Sequence, residues 1–172
     1  MPAALLMANL QAAVKAISSG MIAPHELCER VNRVIAGNVR PGQFITFFYA
    51  LVDTASRELR YANAGHNPPI VIRGSGEVLR LGEGGPVLGI FPDWNYDHHT
   101  LTLIPGDRLL LFTDGVTEVR NDSDEEFGDD RLIAVVRASP DAPTLHRNVL
   151  DAVMRFSGGV FLDDVTVLAV TC

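Results

Sequence analysis

The sequence predicts an α+β fold in which helices pack on an antiparallel sheet. Helical patterns come first along the chain, strand patterns follow, helical patterns return, and a last strand ends the chain. Short turn signals such as Pro105-Gly106-Asp107 separate the strands, which favours an antiparallel meander. The chain has 172 residues, of which 47% are hydrophobic and 20% charged, enough for a real core. Without a repeat or a linker, residues 1–172 are expected to form a single domain.

The composition excludes several classes of protein. A formal net charge of −7 leaves no basic footprint for nucleic acid or an anionic membrane. The only cysteines, Cys28 and Cys172, disfavour a disulfide framework and a cysteine-based metal site, and they fit a reducing cytosol. No apolar stretch reaches the roughly 18 residues of a membrane span, and Met1 to Leu10 has no basic leader. We therefore expect a cytoplasmic protein without nucleic acid or a membrane segment as partner.

Two helices are expected at the start of the chain. The first runs from Pro2 to Ser19, and its apolar character predicts that it is mostly buried. Its periodic apolar positions are Leu6, Leu10, Val14 and Ile17. The second runs from Ala23 to Ala36, with Asn32 or Arg33 expected to face water. Its apolar face consists of Leu27, Val31, Val34 and Ile35.

The middle of the chain changes to the period of strands. The candidate strands are Phe44 to Val52, Leu59 to Ala62, Ile70 to Arg73, Glu77 to Leu81, His98 to Leu103 and Leu109 to Phe112. His98 and His99 are expected to form an edge-strand pair, because adjacent strand residues point to opposite faces. The glycine-rich segment Leu81 to Ile90 lacks the Lys and Ser/Thr of a P-loop and is either a mobile loop or a plain connection. Trp94 and Tyr96 would anchor it or meet a partner.

The last third of the chain predicts two helices and a closing strand. The helices are expected at Asp129 to Ala138 and Pro143 to Phe156, and the strand at Val165 to Val170. The acidic run Asp122 to Glu126 does not fit the EF-hand pattern, so we expect a solvated loop. Asp129 is expected to cap the helix that follows this loop.

Carboxylates at the ends of two apolar strands are the main chemical signal. Asp114 ends the strand that contains Leu109 to Phe112, and Gly115 allows the chain to turn there. Asp163 and Asp164 open the last strand. Brought side by side, such carboxylates suit hard divalent cations, and two bridged metals can clamp a phosphate and lower the pKa of a bound water. The alternative is structural: a turn at Asp114 and a capped loop at Asp163.

His66 and Asn67 have two interpretations as well. His66 could serve as a general acid, and Asn67 with the prolines that follow could shape a loop facing the substrate. The alternative is a structural turn in which His66 bonds backbone. We favour the turn, because no acidic partner is near in sequence.

Motifs in a fixed order resemble one family over nearly the whole chain. The segment Phe112 to Glu118 resembles the Thr-Asp-Gly motif of metal-dependent protein phosphatases of the PPM class, and more narrowly of the SpoIIE/RsbU type. Asp163 to Thr166 resembles their closing Asp-Asp-x-Thr motif, and Tyr61 to Pro69 their Ala-Gly-His-Asn-Pro-Pro segment. Glu126-Phe127-Gly128, followed by Arg131-Leu132, is similar as well.

This resemblance implies an α-β-β-α sandwich with two Mn²⁺ or Mg²⁺ ions. It implies hydrolysis of phosphoserine or phosphothreonine on a protein by a metal-bridging water, without a phosphoenzyme. Asp114 and Asp163 would be metal ligands, Gly115 would allow a close turn beside the metal, and Asp164 would be a supporting or alternative ligand. The implied substrate is a phosphoprotein of the anti-sigma-factor antagonist type in stress or developmental signalling.

One departure from the family lowers the expected activity. The family carries two further acidic motifs upstream, and Met1 to Met7 matches the residues directly after the second. The domain is therefore expected to be incomplete at its N-terminus, with metal occupancy reduced and activity weak or absent. The alternatives are a non-catalytic module that binds a partner and a self-associating module, such as a homodimer, in which two copies cover exposed sheet edges.

Overall fold

The computed structural model describes residues 3–18, 20 and 22–172, which fall into two compact units. The first unit is Met1–His66 with Gly82–Leu103, and the second is Asn67–Leu81 with Ile104–Cys172. Each unit combines a four-stranded sheet with helices, and the pairing of β2 with β5 in the first unit is the one parallel pairing among the described strands. The predicted α+β class is therefore confirmed.

The elements follow the predicted order, and most bounds differ by a few residues from those expected. In chain order they are α1 (Ala3–Ile17), α2 (Pro24–Ala36), β1 (Phe47–Asp53), β2 (Glu58–Ala64), β3 (Ile70–Ile72), β4 (Val78–Arg80), β5 (Gly84–Gly85), β6 (His99–Thr102), β7 (Arg108–Phe112), α3 (Asp114–Thr117), α4 (Gly128–Ala138), α5 (Ala142–Phe156) and β8 (Val167–Thr171). Among the described residues, no helix combines the length and the apolar character needed to cross a membrane.

In the first unit, β2 is the central strand. It pairs antiparallel with β1 on one side and, on the other, antiparallel with β6 and parallel with the short β5. Helix α2 contributes most to the core, because its apolar face packs with buried residues of β2. The fully buried side chains of this face are Leu27, Cys28, Val31 and Ile35. Burial raises the pKa of the Cys28 thiol to about 12, with a further contribution from the charge of Glu29, so the thiol stays protonated.

Helix α1 is less buried than its composition predicts. Leu6, Leu10 and Ala13 face the core, whereas Leu5 and Met7 are about half exposed. The predicted ends at Pro2 and Ser19 lie outside the described residues. One stripe of this apolar helix is therefore covered, and the opposite side is not.

Of the two residues expected to offer a water-facing side chain, Arg33 is exposed, whereas Asn32 is fully buried. The Asn32 side-chain amide donates a hydrogen bond to the carbonyl oxygen of Phe91 over 2.7 Å. Its Oδ1 accepts one from the backbone N–H of Gly89 over 2.8 Å. Polar groups are stable in a core when they are paired in this way, so Asn32 ties α2 to the loop between β5 and β6.

The glycine-rich segment is partly strand. Gly84 and Gly85 pair with Asn63 and Ala64 in β2, so the mobile-loop interpretation was wrong for these two residues. A Cβ at Gly84 would lie 2.0 Å from the carbonyl oxygen of Asn63, which explains why glycine is needed there. Tyr96 anchors the same segment, as predicted: it is buried, and its hydroxyl donates to the carbonyl oxygen of Pro86 over 3.0 Å.

The edge-strand position expected for the histidine pair is confirmed for His99 only, because His98 lies just before the strand. His99 begins the edge strand β6 and lies against the Tyr61 ring, with centroids 6.2 Å apart. His98 stacks on His25 instead, with centroids 4.3 Å apart.

In the second unit, the strand order is β4-β3-β7-β8, and every pairing is antiparallel. Strand β7 is internal, and Leu110 and Phe112 on it pack with α4 and α5 through a shared apolar core. Asp141 begins α5 by accepting a hydrogen bond from the backbone N–H of Thr144 over 2.8 Å. Asp129 does not cap α4 as expected: it lies in the first turn and forms an ion pair with Arg80 at 2.8 Å.

The role of Asn32 can be tested by its removal. Asn32→Ala should lower the free energy of unfolding by about 1–3 kcal/mol, because it removes the hydrogen bonds by which a fully buried side chain ties α2 to Gly89 and Phe91. Asn38→Ala is the matched control: the Asn38 side chain is exposed just beyond α2 and donates to the nearby carbonyl oxygen of Val34, so a smaller loss is expected. Urea denaturation of the two variants measures the difference. Equal losses would contradict the assigned role of Asn32.

Candidate functional site

The first acidic segment lies where β7 leaves the core. Leu109, Leu110 and Phe112 are buried, and the chain then turns into the one-turn helix α3 at Asp114. Thr113 precedes this helix in an extended conformation. The Asp114 carboxylate is exposed, and its Oδ1 accepts a hydrogen bond from the backbone N–H of Gly115 over 2.9 Å. A buried strand therefore delivers a carboxylate to the surface.

The second acidic segment lies directly beside the first. The hydroxyl of Thr113 donates to the carbonyl oxygen of Asp164 over 2.9 Å and accepts from the backbone N–H of Thr166 over 3.0 Å. The backbone N–H of Thr113 donates to the carbonyl oxygen of Thr166 over 3.2 Å. These bonds continue the β7–β8 ladder beyond the pair of Phe112 and Val167. The structure thus brings together the two segments that carry Asp114 and Asp163.

Gly115 allows the two segments to approach this closely. It is buried, and a Cβ there would lie 2.5 Å from the carbonyl oxygen of Asp164. The same atom would lie 3.5 Å from the carbonyl carbon of Asp163. Any side chain at this position would push the acidic segments apart, which agrees with the close turn expected there.

A cleft of about 260 Å³ opens beside Asp163. Its charged lining consists of Glu118, Arg120, Glu126 and Asp163, and its remaining lining of Gly115, Val119 and Leu162. Glu118 and Arg120 were not predicted as site residues from the sequence. Their position directly after the Thr-Asp-Gly turn was the available signal.

Loop 120–126 forms one wall of this cleft. Arg120 pairs with the carboxylate of Asp124 at 3.0 Å and with that of Glu126. The hydrogen bond and the charge of Asp124, together with the charge of Glu126, raise the pKa of the Arg120 guanidinium above its usual range. The side chain of Asn121 accepts from the backbone N–H groups of Ser123 and Glu125, both over 3.0 Å. The loop is therefore solvated, as expected, and also held in one conformation by its own side chains.

The donors at this site suit a hard cation but are few. Among the described residues, no group of three or more His, Cys, Asp or Glu side chains is placed to hold a metal ion. Asp114 and Asp163 offer carboxylate oxygens from adjoining segments, which is the ligand chemistry that Mg²⁺ and Mn²⁺ prefer. Mg²⁺ is commonly held by one or two carboxylates together with waters and substrate phosphate. By its chemistry this pair suits one such hydrated ion, while two ions need more ligands than two carboxylates supply.

His66 lies in a backbone-bonded turn of the first unit. Its backbone N–H donates to Asn63 Oδ1 over 2.7 Å, and the Asn63 amide donates to the carbonyl oxygen of His66 over 3.0 Å. Its Nδ1 lies 3.3 Å from Thr46 Oγ1. These contacts support the structural interpretation of His66. The half-buried Asn67, like Asp114 and Asp163, belongs to the second unit.

Comparison with known proteins identifies relatives of the whole chain. The family model for stage II sporulation protein E (SpoIIE) matches residues 1–172. The chain is 31% identical to phosphoserine phosphatase RsbU of Bacillus subtilis over 169 residues, which covers 97% of the chain and 50% of RsbU. It is 33% identical to protein IcfG of Synechocystis sp. over 129 residues, covering 74% of the chain and 20% of IcfG. The chain thus spans half or less of the length of these relatives.

Solved structures confirm the expected PPM-type fold. The RsbU and RsbW domains of Rv1364c from Mycobacterium tuberculosis match with a TM-score of 0.76 at 26% identity, over 98% of this chain and 47% of that one. The SiaA-PP2C domain of Pseudomonas aeruginosa matches with a TM-score of 0.84 at 21% identity, over 100% of this chain and 71% of that one. The manganese-soaked phosphatase domain of SpoIIE from B. subtilis matches with a TM-score of 0.65 at 19% identity, over 92% and 69%.

The Thr113 hydroxyl can be tested separately from the acidic residues. Thr113→Val keeps the shape of the side chain but removes the hydrogen bonds to Asp164 and Thr166, so the free energy of unfolding should fall by about 1–3 kcal/mol. Thr113→Ser should retain most of the stability, because it keeps the hydroxyl. Thr171→Val, at the exposed end of β8, is a control that should change stability little. Thermal unfolding of the three variants tests the assignment, and equal stability of the Val and Ser variants at position 113 would refute it.

Proposed function

The chain belongs to the SpoIIE family, and from this premise we propose that it acts in the metal-dependent hydrolysis of phosphoserine or phosphothreonine on a protein. The observation that carries the proposal is the junction of the Asp114 and Asp163 segments through the hydroxyl of Thr113. Two acidic segments from separate parts of the sequence meet at one edge of a sheet, beside a cleft. The family model matches residues 1–172 as a whole, which supports treating these residues as one domain.

In this proposal, Asp114 and Asp163 hold the metal. A bound Mg²⁺ or Mn²⁺ ion would neutralise phosphate charge and lower the pKa of a coordinated water. Gly115 keeps the two segments in contact, and Thr113 fixes their register. The exposed carboxylate of Asp164 is a further candidate ligand, since its carbonyl oxygen, and not its side chain, accepts the bond from Thr113.

We propose a phosphoprotein of the anti-sigma antagonist type as the substrate, and a cytoplasmic location. The names of two relatives support the phosphoserine part: RsbU and RsbP of B. subtilis are both phosphoserine phosphatases. The motifs resembling SpoIIE/RsbU-type phosphatases support the antagonist class. The free thiols of Cys28 and Cys172 are consistent with a reducing compartment.

A second candidate function is partner binding without catalysis, including self-association. Two observations favour it: the described residues form no three-ligand metal group, and β1 has a strand partner on one side only among the described strands. An open edge of this kind can accept another strand. The same shortage of ligands leads us to propose that the chain by itself binds metal weakly and hydrolyses slowly.

Metal binding and hydrolysis decide between these functions. We expect slow, Mn²⁺-stimulated hydrolysis of an aryl phosphate and of a phosphoserine peptide. Asp114→Asn and Asp163→Asn should each lower this activity by about 100-fold or more and weaken Mn²⁺ binding in calorimetry, because each removes a ligand charge. Asp151→Asn, on the exposed side of α5, is the matched control and should change neither.

Each result separates the candidates. Hydrolysis that is insensitive to Mn²⁺, or that persists in both Asn variants, would refute the metal-dependent proposal. A folded chain that binds a partner but neither binds Mn²⁺ nor hydrolyses phosphate would favour the binding module.

A further inference from the structure

We propose that the cleft beside Asp163 recognises a substrate segment in which an apolar and a basic side chain flank the phosphoserine. This inference rests on the proposed function and adds the sequence class of the substrate. It depends on two features of the second unit: an exposed apolar segment at the cleft, and one carboxylate of the cleft that has no partner among the described residues.

The apolar segment is Val160, Phe161 and Leu162, called here the apolar prong. Their side chains are 62%, 40% and 88% exposed, respectively. Single exposed apolar residues are ordinary, but three in succession indicate a contact surface. Gly158 and Gly159 precede the prong with φ values of 63° and 85°, so the chain turns sharply between α5 and the prong.

The position of the prong links it to the proposed reaction. Leu162 lines the same cleft as Asp163 and directly precedes it in the chain. A substrate whose phosphate approaches an ion at Asp163 would place a neighbouring side chain against Leu162. Burial of this leucine by the substrate would stabilise the complex, because Leu162 is the most exposed large apolar side chain of the described residues.

The charge of the cleft favours a basic side chain as the second side chain of the substrate. Arg120 is neutralised by Asp124 and Glu126, and Asp163 would be neutralised by the ion. The carboxylate of Glu118 forms no hydrogen bond or ion pair with the described residues, and it lines the cleft. A lysine or arginine of the substrate would pair with Glu118, whereas an acidic side chain would meet like charge.

Peptide binding tests this preference without relying on hydrolysis. The probes are fluorescent peptides that contain unphosphorylated serine, flanked by Leu and Arg in one peptide and by Ala and Glu in the other. We expect the Leu/Arg peptide to bind the whole chain more tightly in fluorescence polarisation. Glu118→Gln should reduce this preference by about two- to fivefold, and added salt should reduce it in the same direction, because the contact is an exposed ion pair. Leu162→Ala should weaken binding of the Leu/Arg peptide by about fivefold.

Matched controls lie outside the cleft lining. Asp122→Asn removes an exposed acid from loop 120–126, and Met154→Ala removes an exposed apolar side chain from α5. Both should leave the peptide preference unchanged. Equal binding of the two peptides, or equal effects of the control and cleft variants, would overturn the inference even if Asp114-dependent hydrolysis is found. Retained preference without hydrolysis would support the surface while refuting the proposed reaction.

A second copy of the chain is the competing occupant of the prong. If the prong joined two copies, Leu162→Ala would shift the protein from dimer to monomer in sedimentation. The prong would then be covered by the second copy, and the peptides would have to displace that copy in order to bind. Dimerisation through Leu162 would overturn the inference, and a sedimentation profile that Leu162→Ala leaves unchanged is the expected result.

Discussion

The hydroxyl of Thr113 is the contact on which the candidate site depends. It donates to Asp164 and accepts from Thr166, so one side chain fixes two segments that are about fifty residues apart in sequence. The rest of the second unit fixes the position of Thr113 relative to these two residues. Strand β7 lies between β3 and β8, and the apolar core beneath it leaves Phe112 little freedom to shift. A one-residue slip of the β7–β8 register would move Thr113 to the opposite face of the sheet and break the junction.

The sequence predicted the helices and strands well, because the spacing of their apolar residues is clear. It failed where the environment of a residue depends on a partner far away in the sequence. The apolar stripe of α2 was correct at Leu27, Val31 and Ile35, yet Asn32 beside them is also buried. No helical pattern could show this, because the partners of Asn32 are backbone groups of Gly89 and Phe91, about sixty residues away. Gly84 is a similar case: its need for glycine arises from the backbone of Asn63 in a neighbouring strand.

The site was predictable only in part, because some of its residues become significant only through contacts with distant parts of the chain. Acidic residues at the ends of apolar strands indicated Asp114 and Asp163, and the structure brings their segments together. The apolar prong and Glu118 could not be assigned from sequence, since their significance comes from lining a common cleft. Asp129 shows the limit of local rules: its position suited a helix cap, but it lies inside the first turn of α4 and pairs with Arg80 of strand β4 instead.

The arrangement of charge explains why the site should attract cations of two kinds. Carboxylates gathered at one sheet edge repel one another, and the fold offsets this repulsion only partly, through Arg120 with Asp124 and Glu126. Asp114 and Asp163 have backbone N–H groups as hydrogen-bond partners, which leave their charge in place. Glu118, whose carboxylate has no partner among the described residues, adds to this surplus of negative charge. In the proposed function, a metal ion would neutralise Asp114 and Asp163, and a basic side chain of the substrate would pair with Glu118. A substrate segment that carries both a phosphate and a basic side chain would therefore bind favourably. Its phosphate would be attracted to the metal ion, and its basic side chain would be attracted to Glu118.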